Sequence, residues 1–179
     1  MNQHTTVRGY RRVGGRAARL TLAAAATAAM VLGMAGMGAA AAAADTVIDT
    51  VPVGTDPEGV AITPDGTHAY VTNSGDGTVS VIDTGTNMVT ATVPVGASPR
   101  GVAITPDGSF AYVANLVGNS VSVIDTGTNM VTATVPVGAS PQGVAITPDG
   151  SFAYVTNNIG NSVSVIDTGT NMVTATVPV

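Results

Sequence analysis

The phrase TVPV begins at Thr50, Thr92, Thr134 and Thr176, and the spacing is 42 residues each time. A chain built by copying one unit has to fold as stacked copies of one supersecondary element, so this period constrains the fold more than any other feature. The units are 50–91, 92–133 and 134–175, and 176–179 opens a fourth. Units two and three are identical at 38 of 42 positions, differing at Arg100/Gln142, Ala114/Thr156, Leu116/Asn158 and Val117/Ile159. Units one and two share 31 of 42. Near-identity of this kind points to recent duplication.

Each unit reads as four short strands. In the second unit these are Gly101–Thr105, Phe110–Asn115, Ser120–Asp125 and Met130–Val137. They are rich in Val, Ile, Thr and Tyr, side chains that suit a pleated sheet. Pro106-Asp107-Gly108, Gly118-Asn119 and Thr126-Gly127-Thr128-Asn129 separate them, and these are turn sequences. Connections so short join antiparallel neighbours, because parallel pairing needs a crossover of a dozen or more residues. Val123 and Ile124 are adjacent, so both faces of that strand are apolar. A blade held between two others buries both faces. The expected fold is therefore all-β: three four-stranded antiparallel meanders of 42 residues, stacked as β-propeller blades in an incomplete ring. No helical period is found beyond Ala44.

Charge divides the chain in two. Five of its six basic residues, all Arg, lie in the first 19 positions, and all eleven acidic residues lie at Asp45 or later. The net charge of −5 thus averages a basic leader with a repeat region holding Arg100 against eleven acids, or −10. A region so poor in basic side chains has no electrostatic footprint for nucleic acid. Residues 20–44 form an uncharged apolar run ending in Ala42-Ala43-Ala44. A basic start, an apolar middle and small residues at the end describe a secretory signal helix over 1–44. A retained membrane anchor is the competing reading of the same run. Either places the remainder, 45–179, outside the cytoplasm, secreted or at the cell surface. The absence of Cys fits an exported protein that does not rely on disulfides.

The run P-x-G-V-A-I-T-P-D-G-x-x-A-Y-V-x-N, followed by V-S-V-I-D-T-x-T-N, resembles the YVTN-family β-propeller repeat. Tyr70-Val71-Thr72-Asn73 and Tyr154-Val155-Thr156-Asn157 carry the tetrapeptide, and unit two has Tyr112-Val113-Ala114-Asn115. The resemblance covers about 130 residues. It implies an extracellular or surface-layer-type scaffold more than a reaction, since one fold hosts many functions. Related propellers include lactonase-like and lyase-like enzymes, but no catalytic constellation of theirs is present to carry over.

Strands that alternate in direction put alternate connections on opposite rims. The loop leading into each unit shares a rim with the loop between the second and third strands. All four differences between units two and three, and nine of the eleven between units one and two, fall on or beside that rim. The candidate binding residues are therefore Glu58, Arg100 and Gln142 in the lead-in loop. Ser74, Leu116 and Asn158, with Gly75, Val117 and Ile159, form the other loop. Loops on a rigid scaffold are where recognition usually sits. Free drift of a rim with undemanding turn chemistry accounts for the same differences.

Other chemistry finds little support. Asp65, Asp107 and Asp149 recur, as do Asp83, Asp125 and Asp167, but each sits singly in a turn where Asp bonds its own backbone. That is far from the six to eight oxygens of a Ca²⁺ loop. His68 stands alone after residue 44 and lacks a zinc motif. There is no Gly-x-Ser-x-Gly elbow, no Cys and no Lys, so no P-loop or Schiff base. No cofactor or metal is expected. The expected function is a noncatalytic exported module that binds protein or glycan at the cell surface. The alternatives are a truncated piece of a lactonase- or lyase-like enzyme and a self-assembling surface-layer repeat.

Three blades fall short of the 4 to 8 of closed propellers. Residues 46–53 (TVIDTVPV) read as one further strand. Truncation of a longer array or association of two copies into six blades is expected over an open monomer, because an open blade exposes Val and Ile to water.

Overall fold

The structure is a computed structural model, and residues 46–179 are described. The expected signal over 1–44 lies outside the described residues. Twelve strands follow in order: β1 (Pro57–Ile62), β2 (His68–Asn73), β3 (Thr78–Asp83), β4 (Met88–Pro94), β5 (Pro99–Ile104), β6 (Phe110–Asn115), β7 (Ser120–Asp125), β8 (Met130–Pro136), β9 (Pro141–Ile146), β10 (Phe152–Asn157), β11 (Ser162–Asp167) and β12 (Met172–Pro178). They form three four-stranded antiparallel sheets with strands in sequence order, one per 42-residue unit. These are the three blades expected from the repeats.

The turns form for local reasons. In the first, Asp65 Oδ1 accepts hydrogen bonds from Thr63 Oγ1 at 2.6 Å and from Thr67 N at 3.0 Å, while Gly66 takes φ +73°. Glycine has no Cβ to clash in that left-handed conformation. Between β3 and β4, Asp83 Oδ1 accepts from Thr86 N at 2.8 Å, and Asn87 closes the turn at φ +55°. Asn tolerates this region because its short side chain bonds locally. Each fourth strand carries a bulge: the register against β3 slips between Val81 and Ile82, leaving Thr90 unpaired, and its Oγ1 donates to the Val81 carbonyl. Both other blades repeat it.

The core lies between blades rather than within one. Tyr70, Val79, Val81 and Val93 of blade one meet Ala111, Val113 and Ile124 of blade two. Tyr112, Val121, Val123 and Val135 of blade two meet Ala153, Val155 and Ile166 of blade three. Val123 and Ile124 thus serve different cores, which accounts for the two apolar faces. The first strands β1, β5 and β9 lie against one another, while the fourth strands splay apart, so the blades fan out from an inner edge.

Residues 46–53 do not form the expected extra strand. In each blade, TVPV pairs with the preceding third strand, as Val135 does with Val121. Among the described residues, Thr50–Val53 has no third strand of its own to pair with, so no ladder forms.

Candidate functional site

At the inner edge each first strand begins Pro-x-Gly. Glu58, Arg100 and Gln142 are the second residues of β1, β5 and β9, inside the strands rather than in the lead-in loops where the sequence suggested them. The difference arises at a bulge: the β1–β2 register slips between Pro57 and Val60, and the same slip recurs in β5, so pairing resumes beyond the variable residue and the strand starts earlier than its Val-Ala-Ile run.

The Gly that follows allows neighbouring blades to approach. A Cβ on Gly101 would stand 2.6 Å from the Gln142 carbonyl oxygen, and one on Gly59 would collide with that of Arg100. This close stacking brings Glu58, Arg100 and Gln142 side by side. With Gly59, Gly101 and Gly143 they line one open cavity of about 430 Å³. Arg100 Nη1 donates to Glu58 Oε1 across the blade boundary, and both side chains remain partly in solvent. Arg100 Nε is buried without an acceptor among protein atoms. Gln142 brings an uncharged amide, so along the arc the cavity presents an anion, a cation held by it, and a neutral donor and acceptor.

The second group of candidates shares the rim but not the cavity. Ser74 N bonds the Asp56 carbonyl at 2.9 Å and Gly75 N bonds that of Thr55 at 3.1 Å, which ties the β2–β3 turn to the lead-in loop. Leu116, Val117 and Asn158 make the equivalent bonds to Ser98, Ala97 and Ser140. Ser74 and Gly75 line a separate recess with Pro94–Ser98 of the next lead-in. Val117 and Ile159 project into solvent, 62% and 71% exposed.

Two further clefts lie on the opposite rim, one at each blade boundary. One of about 500 Å³ is lined by Asp107, Phe110, Asp149 and Thr168 among others, and one of about 280 Å³ by Asp65, His68, Tyr70 and Asp107. Variation between units does not point to them, because their residues scarcely differ from one unit to the next. Their carboxylates are already engaged. The hydroxyl of Thr63 and the amide and hydroxyl of Thr67 hold the Asp65 carboxyl down to about 2, and Thr105 and Ser109 lower Asp107 in the same way. Among the described residues, no three His, Asp or Glu side chains gather as they would around a metal ion.

The repeated tetrapeptide has a structural task at each position. Tyr70 OH donates to Asn129 Oδ1 of the next blade at 2.8 Å, and Tyr112 OH to Asn171 Oδ1 at 2.7 Å. Thr72 Oγ1 accepts from Gly59 N at 2.8 Å and donates to the Arg100 carbonyl at 2.6 Å. Unit two has Ala114 there and makes no such bond. Asn73, Asn115 and Asn157 are buried, and each Nδ2 donates to two hydroxyls at the start of the third strand, as Asn115 does to Ser120 and Ser122. Packing burial drives the Tyr112 hydroxyl up to about 12, with the charges of Asp167 and Asp107 adding to it.

Comparison with known proteins supports this architecture. The hydrazine synthase of Kuenenia stuttgartiensis is similar at 35% identity and a TM-score of 0.66, over 73% of this chain and 39% of that one. A functionally unknown protein from Desulfotomaculum acetoxidans DSM 771 is 30% identical with a TM-score of 0.58, over 67% and 40%. The RRP9 WD40 repeats, at 15% identity and a TM-score of 0.64 over 69% and 38%, share the fold, and WD40 repeats build propellers. The chain spans about two fifths of the length of these proteins. No curated protein sequence matches it. The choice-of-anchor I domain family matches residues 22–179, and the chain belongs to that family.

Proposed function

We propose that this chain is an exported, noncatalytic propeller module that binds protein or glycan at the cell surface through the cavity of Glu58, Arg100 and Gln142. One observation carries the reading. The first-strand position that differs in every unit is the one whose three side chains converge on a single cavity. The family supports a surface setting through the word anchor in its description, and the basic and apolar leader supports export. The YVTN-type repeat is the finer family reading, and it rests on Tyr70–Asn73 and Tyr154–Asn157. The carboxylates on the opposite rim hold their own turns, which favours binding over catalysis. Similarity to part of hydrazine synthase is similarity in the repeat fold, and that reaction is not proposed for this chain.

The test is retention on isolated cell envelopes of the producing organism. The full chain is compared with a variant carrying Glu58→Ala, Arg100→Ala and Gln142→Ala. Envelopes are used untreated, protease-treated or periodate-treated. The variant is expected to bind at least tenfold more weakly, and the treatment that abolishes binding of the unaltered chain identifies the partner as protein or glycan. Equal retention of the two chains refutes the reading and leaves drift as the explanation.

A further inference from the structure

The two blade boundaries inside the chain define what lies at its two open faces. Every boundary joins a Tyr-Val-Val-Val set on one blade to an Ala-Val-Ile set on the next. Blade three carries the first set again, as Tyr154, Val163, Val165 and Val177, and among the described residues no blade lies against it. Blade one carries the second set again, as Ala69, Val71 and Ile82, of which Ala69 and Ile82 are only 9% and 8% exposed. The same side chain therefore has two different environments. Tyr70 and Tyr112 are 1% and 0% exposed, and Tyr154 is 45% exposed. Beside the second set, Val102 and Ile104 pack on the first core, whereas their counterparts Val60 and Ile62 stand 65% and 57% exposed.

The polar contacts are left open in the same complementary way. Tyr70 and Tyr112 donate to Asn129 and Asn171 of the following blade. Among the described residues no blade follows Tyr154, and no Tyr reaches Asn87, the counterpart of those two Asn, whose Nδ2 donates to Asp49 Oδ2. Thr72 Oγ1 donates to the carbonyl of Arg100 in the next blade, whereas Thr156 Oγ1 bonds only Gly143 of its own blade, accepting from its amide at 2.9 Å. Gly59 and Gly101 each lie under a carbonyl of the next first strand, while the space above Gly143 holds only Thr156 Oγ1, at 3.2 Å.

From this we infer that a second copy of the chain docks head to tail on both open faces, making a closed ring of two chains and six blades. Tyr154 of each copy would donate to Asn87 of the other, and Gly143 would lie under the carbonyl of Glu58. Six is within the 4 to 8 blades of closed propellers, and head-to-tail contacts that close give a ring with no open face. One segment has to give way. Thr50–Val53 repeats the sequence of Thr176–Val179 and stands beside blade one, where the docked copy would bring its own Thr176–Val179. The latter is paired to β11. Thr50–Val53 makes no ladder bonds, so it is the one displaced, and an identical tetrapeptide replaces it. This inference does not depend on what the inner cavity binds, although closure would complete that cavity with six residues instead of three.

Native mass spectrometry and light scattering of the full chain test it, with the single-chain mass taken from the denatured protein. The expected native mass is twice the single-chain mass. Tyr154→Asp places a charge on the docking face, at a side chain already half exposed in one copy. It is expected to halve the native mass and leave the β circular dichroism unchanged. Gly143→Ala, whose Cβ in one copy would press only on the Thr156 hydroxyl, at 3.2 Å, is expected to weaken association at least tenfold without loss of fold. A native mass of one chain at micromolar concentration overturns the inference. So does an open polymer, or a two-chain species that both variants leave intact.

Discussion

Gly101→Ala tests how closely the blades stack. The added Cβ would stand 2.6 Å from the Gln142 carbonyl oxygen, 3.1 Å from Gly143 Cα and 3.2 Å from Val144 N. All three are backbone atoms of β9 and none can rotate away. A carbon and a carbonyl oxygen rest at about 3.3 Å, so blades two and three have to part by about 0.7 Å. A gap of that size forfeits a quarter to a half of each dispersion contact across it, and the boundary holds the whole core of Tyr112, Val121, Val123 and Val135 against Ala153, Val155 and Ile166. Overpacking of this kind costs about 1–3 kcal/mol. The control is Gly127→Ala, whose Cβ would meet only Asp125 Oδ1 at 3.5 Å. There the loss of unfolded-state freedom is expected to stabilise the chain by about 0.4–1 kcal/mol. With a urea slope of about 2 kcal/mol per molar, Gly101→Ala should lower the unfolding midpoint by about 0.5–1.5 M, and Gly127→Ala should leave it level or raise it. A Gly101→Ala midpoint at or above that of the unaltered chain would refute the stacking argument, since the blades would then have room to spare.

Tyr112→Phe removes the bond to Asn171 while keeping the ring in its core, so a loss of about 1 kcal/mol is expected in the same melts. Because folding raises the Tyr112 hydroxyl from 10 to about 12, the folded chain holds that proton after the unfolded chain has lost it. Stability should therefore fall as the pH rises from about 10 to about 12, and Tyr112→Phe should flatten that fall. Asn115→Ala strands the hydroxyls of Ser120 and Ser122 in a buried site, and about 1–3 kcal/mol should be lost, read from thermal melts followed by circular dichroism. At the acid end, Asp65 is held to about 2, and Asp83, Asp107, Asp125, Asp149 and Asp167 are lowered by the Thr and Ser groups of their own turns. The unfolded chain takes up these protons first, so stability is full above about pH 4 and drops toward about pH 2. A urea midpoint that stays flat across that window would contradict the turn bonding.

What the sequence could convey depended on how far away the cause of each feature lay. Pro106-Asp107-Gly108 and Thr126-Gly127-Thr128-Asn129 are short local instructions, and Phe110–Asn115 and Ser120–Asp125 appear as strands with the bounds read from them. The linear pattern puts Arg100 in a loop because the bulge that places it in β5 depends on pairing with β6, and a linear pattern does not display pairing. Residues 46–53 read as a strand for the matching reason: their composition is right and their partner is missing. At the candidate site, position 58/100/142 stood out through variation alone. Its convergence on a cavity follows from the Gly beside it, which is the same in every unit and so carries no signal of variation. Tyr70, Tyr112 and Tyr154 recur once per blade as packing residues, and the hydroxyls of Tyr70 and Tyr112 also bond an Asn 59 positions later, across a blade boundary.

Repetition makes this last point general for the fold. Tyr112 and Tyr154 stand in the same local sequence, and one is sealed while the other is half in water. The four differences between their units include neither the Tyr nor the residues next to it. The difference is whether another blade lies alongside, so in a stacked array a residue's role is assigned at the boundary and not within the repeat. Two consequences follow for mutagenesis. A substitution transferred from one blade to its counterpart need not transfer its effect: Gly101→Ala disturbs an internal boundary, whereas Gly143→Ala disturbs only a boundary that something else completes. Conversely, a residue whose substitution is harmless in one copy and harmful in another locates an open face, and a scan of the three Tyr and the three Gly would map the ends of the arc without any ligand in hand.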